Sequence, residues 1–273
     1  RAGAGGWLGS GDVIPCAGFL GAGVDTLAVL AAFVTGHSSG VELPAAVILE
    51  TVQAEGGVNA ASDAWLRRLA AITRKHGILL IVDDIQVGCG RTGPFFSFER
   101  AGIEPDVICL SKSISGFGLP MALVLMRPEH DLWEPGEHNG TFRGHNLAFV
   151  TATAALDFWE TPALAHDVLR KSQIVERRLD GWVADPASPA AERRGRGLIQ
   201  GLCFDAPVAA DDVARACFAR GLVIETAGPL DDVLKFLPPL VIDDEDLTWG
   251  LDVVEESLLE VASRHRELAG VSA

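Results

Sequence analysis

Ile78-Leu-Leu-Ile-Val-Asp83-Asp84-Ile-Gln86 is the stretch that decides the fold, because an apolar run here ends abruptly in two acids. A short, continuously apolar run between turn residues is typical of a strand buried in a parallel sheet. Since the carboxylates follow the apolar residues directly, we expect Asp83 at the end of the strand, on the rim of the sheet.

A second apolar run ends in a lysine. Pro105-Asp-Val-Ile-Cys-Leu-Ser-Lys112-Ser-Ile-Ser-Gly116 leads from apolar residues into a turn rich in serine and glycine. A lysine at the end of a buried strand can be partly desolvated, which favours the neutral amine that attacks a carbonyl carbon. The sequence therefore predicts Lys112 as a catalytic amine that shares a rim with Asp83, an arrangement suited to an electrophilic cofactor.

Strands and helices alternate through the first half of the chain, which predicts an α/β fold with a mostly parallel sheet. Residues 1–24 are rich in glycine and are predicted to form a loop. The expected strands cover 45–50, 78–82, 106–110 and 121–126, and the expected helices cover 25–34, capped by Asp25, and 62–77, between Ser62 and Gly77.

The second half predicts a smaller α+β domain. A helix is expected over 151–179, followed by a strand at 198–204, a helix at 211–220 and a strand at 233–237. In the last helix an apolar stripe predicts packing against this domain. The stripe consists of Leu247, Leu251, Val254, Leu258 and Val261.

Composition excludes several classes of function. The chain has 273 residues and a net charge of -15, which repels nucleic-acid phosphates and anionic membranes. No apolar run approaches the roughly 18 residues that span a bilayer. The odd number of cysteines and the absence of a C-x-x-C pair favour reduced thiols in a cytoplasmic protein. The cysteines are Cys16, Cys89, Cys109, Cys203 and Cys217.

Other chemistries fit the motifs less well. Gly88-Cys-Gly-Arg-Thr-Gly93 matches the dinucleotide fingerprint, but proline and phenylalanines follow where a helix should open, and Asp83 and Asp84 crowd the phosphate position. Ser111-Lys112-Ser113 permits a Ser/Lys hydrolase, but neither the S-x-x-K spacing nor a G-x-S-x-G elbow is present. The histidines at 130, 138 and 145 lack the spacing of a metal site.

Four motifs in order and spacing carry a resemblance to a known family. They are Glu50-Thr-Val-Gln-Ala-Glu55-Gly-Gly57, Val82-Asp-Asp-Ile-Gln86-Val-Gly-Cys-Gly-Arg-Thr-Gly93, Pro105-Asp-Val-Ile-Cys-Leu-Ser-Lys112 and Thr141-Phe-Arg-Gly144. Together they resemble the class III pyridoxal-phosphate aminotransferases over nearly the whole chain. Further stretches at 95–102, 113–120 and 133–144 are similar to the members that serve ectoine biosynthesis.

The resemblance implies fold type I of the pyridoxal-phosphate-dependent transferases. It implies a large cofactor-binding domain at 1–165 and a C-terminal small domain at 166–273. The implied reaction moves an amino group between L-2,4-diaminobutyrate, which becomes aspartate 4-semialdehyde, and the glutamate/2-oxoglutarate pair. The implied assembly is a cytoplasmic homodimer or higher homo-oligomer.

The same resemblance implies roles for individual residues around pyridoxal 5'-phosphate. Lys112 would bind the cofactor covalently, Asp83 would contact the pyridine nitrogen, and Gln86 would contact the ring oxygen. Thr141 would bind the cofactor phosphate of the neighbouring subunit. Glu55 would shape the substrate pocket by pairing with a basic residue that is arginine in the family and Lys235 here.

The family carries its phosphate loop and the aromatic residue that stacks on the ring in an upstream segment. This sequence lacks that segment, so we expect the chain to be an N-terminally truncated form of a longer enzyme. Two alternatives stay open. The protein could be another class III ω-aminotransferase, acting on ornithine or 4-aminobutyrate, or a non-catalytic remnant that serves as a dimerising partner.

Overall fold

The computed structural model describes residues 21, 23–36, 42–205 and 207–271. Most of the predicted loop over residues 1–24, including Cys16, lies outside the described residues. The helices are α1 Thr26–Thr35, α2 Asp63–His76, α3 Asn146–Leu156, α4 Ala163–Ala184, α5 Pro207–Ala219 and α6 Asp244–Val271. The strands are β1 Ala46–Leu49, β2 Val52–Gln53, β3 Asn59–Ala60, β4 Leu79–Asp83, β5 Val107–Ser111, β6 Ala122–Met126, β7 Ala190–Arg196, β8 Ile199–Phe204, β9 Glu225–Ala227 and β10 Val233–Phe236. Among these helices none is long and apolar enough to cross a membrane.

The first sheet has the strand order β1-β4-β5-β6. β1, β4 and β5 run parallel, and β6 returns antiparallel to β5. Each strand starts and ends within one or two residues of its predicted bounds, so the prediction of a mostly parallel α/β sheet is confirmed. The outer strands β1 and β6 carry exposed apolar side chains, Ile48 and Val124.

Helices α1 and α2 cover one face of this sheet. Ser62 accepts a hydrogen bond from the Trp65 amide at 3.2 Å, and Gly77 ends α2 in the left-handed conformation, as the sequence predicts. Leucines of both helices form a core with Leu80 and Val82, the alternate residues of β4. The amphipathic pattern of α2 therefore decides which face of the sheet is covered.

The second sheet is antiparallel and has the order β7-β8-β10-β9. Every residue of β8 is buried, and α4, α5 and α6 contribute to the apolar core beside the sheet. The predicted stripe of α6 is confirmed, since all five of its residues are buried in this core. Its members are Leu247, Leu251, Val254, Leu258 and Val261. The division between domains at residues 165 and 166 stays a prediction.

The single helix predicted over 151–179 is wrong. α3 ends at Leu156, a 3-10 turn covers Asp157–Trp159, and α4 begins only at Ala163. Pro162 is the residue that precedes α4, and proline disfavours the helical conformation of the residue before it. The apolar side chains on either side of this break hid it from the sequence pattern.

Three strand regions were missed. β7 has the sequence Ala-Ala-Glu-Arg-Arg-Gly-Arg, which shows neither apolar alternation nor β-branched residues. It forms because it pairs with the buried strand β8. β9 and the hairpin of β2 and β3 have only two or three residues each, so they are too short for a periodic signal.

The glycine-rich loop after β4 joins the two sheets. The Leu198 amide donates to the Arg91 carbonyl at 2.8 Å, and the Arg91 guanidinium donates to the carbonyls of Leu198 and Pro238. Burial lowers the pKa of Arg91 to about 10. At Gly197, in the turn between β7 and β8, an added Cβ would lie 2.4 Å from the Arg91 carbonyl oxygen. This contact is made between backbones, and a side chain at 197 would prevent it.

A substitution at Gly197 measures this contact. Gly197 has φ +59° and Gly102 has φ +64°, but nothing lies within 4 Å of a Cβ added at Gly102. Gly102→Ala should therefore cost only the strain of the left-handed conformation, about 1–2 kcal/mol. Gly197→Ala should lower the free energy of unfolding by a further ~1–3 kcal/mol, because the backbone must move to accommodate the added Cβ. Denaturant unfolding of both variants checks this, and equal losses would contradict it.

Candidate active site

Three charged residues lie at the end of the first sheet where its parallel strands finish. Glu50 follows β1, Asp83 ends β4 and Lys112 follows β5. The strand register aligns Leu49 with Val82 and Asp83 with Cys109, so the three ends meet at one edge. We call this edge the sheet rim. In open α/β sheets this is the edge at which ligands bind.

The charges on the sheet rim influence one another. Burial raises the pKa of Glu50, and the negative charges of Asp83 and Glu55 act in the same direction. The positive charge of Lys112 opposes this rise. The Glu50 carboxylate also accepts a hydrogen bond from the Ala54 amide at 3.2 Å. Glu50 is thus a rim residue that the sequence signalled by its place after an apolar strand, although it was not singled out as a site residue.

Lys112 adopts an unusual backbone conformation. Its φ is +52°, and it opens a 3-10 turn that ends at Ser115 before Gly116. Gly116 allows the turn to approach α3, where an added Cβ would lie 2.5 Å from the Ala155 side chain. Non-glycine residues with positive φ are strained and concentrate at functional sites. We therefore expect that this backbone conformation sets the direction of the Lys112 side chain for its function.

The expected partial burial of Lys112 is not observed, because its side chain is exposed. The turn follows the end of β5, and among the described strands β6 alone lies beyond β5 in the first sheet. Within the described part of the chain, nothing on that side covers the amine. The sequence around Lys112 predicts where the residue lies, whereas its burial depends on groups that come from elsewhere.

Asp83 and Asp84 have different environments. The Asp83 side chain is half-buried and accepts a hydrogen bond from the Ile85 amide at 3.1 Å. Asp84 is fully buried and accepts hydrogen bonds from the amide and hydroxyl of Ser97, whose hydroxyl also accepts one from Thr51 at 2.6 Å. Burial raises the pKa of Asp84, which these hydrogen bonds from Ser97 oppose. Asp84 therefore anchors the loop, and Asp83 remains available at the rim.

A second group of polar side chains joins the first sheet to the second. Glu55 Oε1 accepts hydrogen bonds from Lys235 Nζ at 2.6 Å and from Gln86 Nε2 at 2.9 Å. The Lys235 side chain is only 1% exposed, whereas Glu55 is 66% exposed. The hydrogen bond from Lys235 lowers the pKa of Glu55 most, and the hydrogen bond from Gln86 lowers it further. The structure thus brings together Glu55, Gln86 and Lys235, three of the residues named from the sequence.

Glu225 is a further acid near this group that sequence reasoning missed. It lies directly opposite Lys235 in the pairing of β9 with β10, with its carboxylate 3.7 Å from Nζ. The strand β9 was not predicted, so no register was available to identify the pair. A buried ammonium needs compensating charge, and Lys235 has two carboxylates in reach.

Thr141 lies apart from these residues in the described structure. It occupies an exposed turn before α3, and the described contacts of Asp83, Gln86 and Lys112 do not include it. Its proposed role concerns a neighbouring subunit, so its exposure in one chain is compatible with that role and does not test it.

The glycine fingerprint does not form a dinucleotide site. No α-helix begins directly after Gly93, and the next helical segment is the short 3-10 helix Glu99–Ala101. At Gly90 and Gly93 an added Cβ would lie 2.3 Å from Trp159 and 2.8 Å from Leu169, respectively. The absence of side chains at these two glycines therefore lets the loop pack closely against Trp159, which precedes α4, and against Leu169, which lies in α4.

The residues on the sheet rim fit a pyridoxal cofactor in their chemistry. Lys112 supplies an exposed primary amine for an aldehyde, and Asp83 supplies a carboxylate for a pyridine nitrogen. In the loop after β4, the Gln86 amide donates one hydrogen to Glu55 and has a second one for a ring oxygen. All three follow or end parallel strands of the same sheet. The donor set matches that cofactor class.

The architecture is fold type I of the pyridoxal-phosphate-dependent transferases, as solved relatives show. An ornithine aminotransferase from Toxoplasma gondii, crystallised with partial occupancy of PLP at its active site, is 31% identical, has a TM-score of 0.75, and covers 81% of this chain and 52% of its own. The ornithine δ-aminotransferase from Plasmodium falciparum is 27% identical with a TM-score of 0.77, covering 87% of this chain and 60% of its own.

The chain belongs to the family described as aminotransferase class-III, which it matches over residues 32–258. A diaminobutyrate--2-oxoglutarate transaminase from Bordetella parapertussis is 54% identical over 97% of this chain. Another from Virgibacillus pantothenticus is 53% identical over 88% of this chain. The chain spans 61% and 58% of the length of these relatives.

Removal of the Glu55 charge should change how stability depends on pH. Because its pKa is lowered in the folded state, the contribution of Glu55 is fully present above the ordinary glutamate pKa of 4.5 and is lost as pH falls below it. Glu55→Gln should therefore flatten the decline of the free energy of unfolding below pH 4.5. Denaturant unfolding at several pH values measures this.

The control for this experiment is Glu129→Gln, which removes an exposed glutamate in the turn after β6. That variant should keep the pH dependence of the unmodified protein. The same slope below pH 4.5 in both variants would show that the contact of Glu55 with Lys235 does not lower its pKa.

Proposed function

We propose that this chain carries the catalytic amine of a pyridoxal-phosphate-dependent aminotransferase. The proposed reaction exchanges an amino group between L-2,4-diaminobutyrate and 2-oxoglutarate, with aspartate 4-semialdehyde and glutamate as the products, as in ectoine biosynthesis. The observation that carries the proposal is that Lys112 and Asp83 share one rim of a parallel sheet, with Gln86 in the loop that follows. The names of the relatives support the choice of substrates.

Each rim residue has a proposed task. When bound, the cofactor supplies an electron-withdrawing ring that stabilises negative charge on the substrate carbon. The Asp83 carboxylate holds the proton on the pyridine nitrogen, and the Gln86 amide donates to the ring oxygen. Lys112 would hold the cofactor through its amine in the resting enzyme, and the freed amine would carry the proton from the substrate carbon.

The pair of Glu55 and Lys235 is proposed to adapt the substrate pocket to the different charges of the two substrates. While the diamino substrate is bound, Glu55 neutralises Lys235, which removes a repelling positive charge. When 2-oxoglutarate is bound, Glu55 releases Lys235, and its ammonium binds a carboxylate of that substrate. Lysine lacks the bidentate fork of arginine, so a single ammonium makes this contact.

The assembly is proposed to be a homodimer in which Thr141 binds the cofactor phosphate of the neighbouring subunit. Its exposed position before α3 supports this role. The proposed large domain covers residues 1–165 and the small domain 166–273. The separate cores beside the two sheets support this division.

Two alternatives have specific support. A class III ω-aminotransferase of the ornithine or 4-aminobutyrate type is supported by the ornithine aminotransferases among the solved relatives. A non-catalytic dimerising partner is supported by the exposed side chain of Lys112. Substrate preference and cofactor attachment separate these alternatives from the main proposal.

Cofactor attachment is the first test. The sequence contains only four lysines, Lys75, Lys112, Lys171 and Lys235, so an attachment site can be assigned without ambiguity. After incubation with pyridoxal phosphate and reduction with borohydride, peptide mass mapping should find the label at Lys112. Lys112→Ala should lose both the label and turnover, whereas Lys75→Ala, at the end of α2, should keep both.

This experiment should be done on the 273-residue chain and on a version extended by the segment that its relatives have in addition. Labelling of both forms at Lys112 would support a self-sufficient cofactor site. Labelling of the extended form alone would support the enzyme and assign the missing contacts to the extension. Turnover by Lys112→Ala in the extended form, or no labelling in either form, would overturn the proposal.

Substrate preference is the second test. Ornithine is one methylene longer than diaminobutyrate, and one extra methylene in a fitted pocket changes kcat/KM by about 10- to 200-fold. The extended enzyme should therefore prefer diaminobutyrate over ornithine by at least about tenfold. Steady-state kinetics with diaminobutyrate, ornithine and 4-aminobutyrate measures this. Equal or better turnover of either competitor would favour the broader ω-aminotransferase.

A further inference from the structure

Val58 is a strained apolar residue near the polar group formed by Glu55, Gln86 and Lys235. Its φ is +57°, in the left-handed region that β-branched residues almost never adopt. Its side chain is fully buried. Strain of this kind persists only where the surrounding structure holds it in place.

Two glycines of the second sheet make room for the Val58 side chain. A Cβ added at Gly195 in β7 would lie 2.7 Å from Val58 Cγ1. A Cβ added at Gly201 in β8 would lie 3.1 Å from Val58 Cβ and Cγ2. The side chain of Val58 therefore fills a hole that exists only because both strand positions are glycine.

This hole lies next to Lys235. Gly201 is paired directly with Lys235 in the register of β8 and β10. Val233, two residues before Lys235 and on the same face of β10, packs in one cluster with Val58. Val58 thus joins the loop to the part of the second sheet that holds the buried lysine.

The loop that Val58 closes is the one that carries Glu55. The Gly228 amide donates to the Glu55 carbonyl at 3.0 Å, and Arg194 Nη1 donates to Asn59 Oδ1 at 3.3 Å. These contacts hold both ends of the loop against the second sheet. Between them, Val58 is the apolar contact, and it shares its cluster with Val87, the residue after Gln86.

We propose that Val58 is a positioning residue: by filling the hole of Gly195 and Gly201 it sets the Glu55 carboxylate against Lys235, and so determines how the enzyme accepts its diamino substrate. The inference rests on the proposed function, in which Glu55 neutralises Lys235 while that substrate is bound. Without the Val58 side chain the loop keeps only the small side chain of Ala54 in this cluster, and Glu55 no longer stays within hydrogen-bond distance of Lys235.

The expected kinetic effect has opposite signs for the two substrates. Diaminobutyrate has two ammonium groups and one carboxylate and therefore a net positive charge, so an uncompensated Lys235 repels it and its KM should rise by about tenfold, which corresponds to about 1.4 kcal/mol. The KM for 2-oxoglutarate should not rise, because its carboxylate then competes with a weaker partner for Lys235. A merely structural defect would impair both substrates in the same direction.

Three variants in the extended enzyme test this. Val58→Ala removes the side chain that fills the hole, Val58→Gly removes it and also relieves the strain of the positive φ, and Val58→Thr keeps the branched shape. Val58→Ala and Val58→Gly should show the shift in KM, whereas Val58→Thr should keep the KM values of the unmodified enzyme. Val175→Ala, at a buried site in the core beside the second sheet, is the matched control and should leave the ratio of the two KM values unchanged.

Epistasis with Glu55 gives the decisive outcome. In a Glu55→Gln background, Val58→Ala should raise the KM for diaminobutyrate no further, because the side chain it positions is already gone. Additive effects, or a Val58→Gly variant with both KM values unchanged, would overturn the proposal. If Val58→Ala does not fold, Val58→Gly carries the same comparison.

Failure of the proposed function can be recognised separately. If the unmodified extended protein shows no transamination, the function fails, and positioning is then measured by the coupling between Glu55 and Lys235. A double-mutant cycle of Glu55→Gln and Lys235→Met on denaturant unfolding gives this coupling. Expressed as an equilibrium constant, the coupling between Glu55 and Lys235 should be about tenfold smaller in a Val58→Gly background. An unchanged coupling would contradict the positioning role of Val58.

Discussion

The parallel alignment of β1, β4 and β5 is the constraint on which the rest of the structure depends. Parallel pairing brings the carboxyl ends of all three strands to one edge, so residues distant in sequence meet without any contact of their own. Glu50, Asp83 and Lys112 occupy this edge for that reason alone. The strand β6 then pairs with β5 in the antiparallel direction. The turn that begins at Lys112 therefore lies next to the outer strand of the described sheet.

The second constraint is the burial of a lysine in the second sheet. A buried ammonium requires a partner, and Lys235 obtains one from the loop after β2, which belongs to the other half of the molecule. The same loop contributes Val58 to the glycine hole of β7 and β8. Charge pairing and shape complementarity therefore act at one junction, which lies between the proposed cofactor rim and the small C-terminal sheet.

The sequence predicted the elements whose signals are local. Apolar runs that end in polar residues gave the strands of the first sheet, and Ser62 and Gly77 marked the ends of α2 within one residue. Family resemblance paired Glu55 with Lys235, which lie 180 residues apart. Periodicity could not have provided that pairing, since no pattern links positions so distant in the chain.

Features that depend on distant contacts could not be predicted. β7 exists because β8 offers its edge, and the break before Pro162 was obscured by apolar residues on both sides. The exposure of Lys112 depends on which groups cover the rim, and the sequence around Lys112 does not contain them. The left-handed conformation of Val58 is likewise accompanied by packing against glycines about 140 residues away, and local preference does not predict it.

The most direct measurement of the central claim is a crystal structure of the extended protein with pyridoxal phosphate. We expect continuous density from Lys112 Nζ to the cofactor, with the Asp83 carboxylate about 2.7–3.2 Å from the pyridine nitrogen. Gln86 should then face the ring oxygen from the same sheet rim. Cofactor density attached to another lysine, or a ring whose nitrogen faces away from Asp83, would contradict the account.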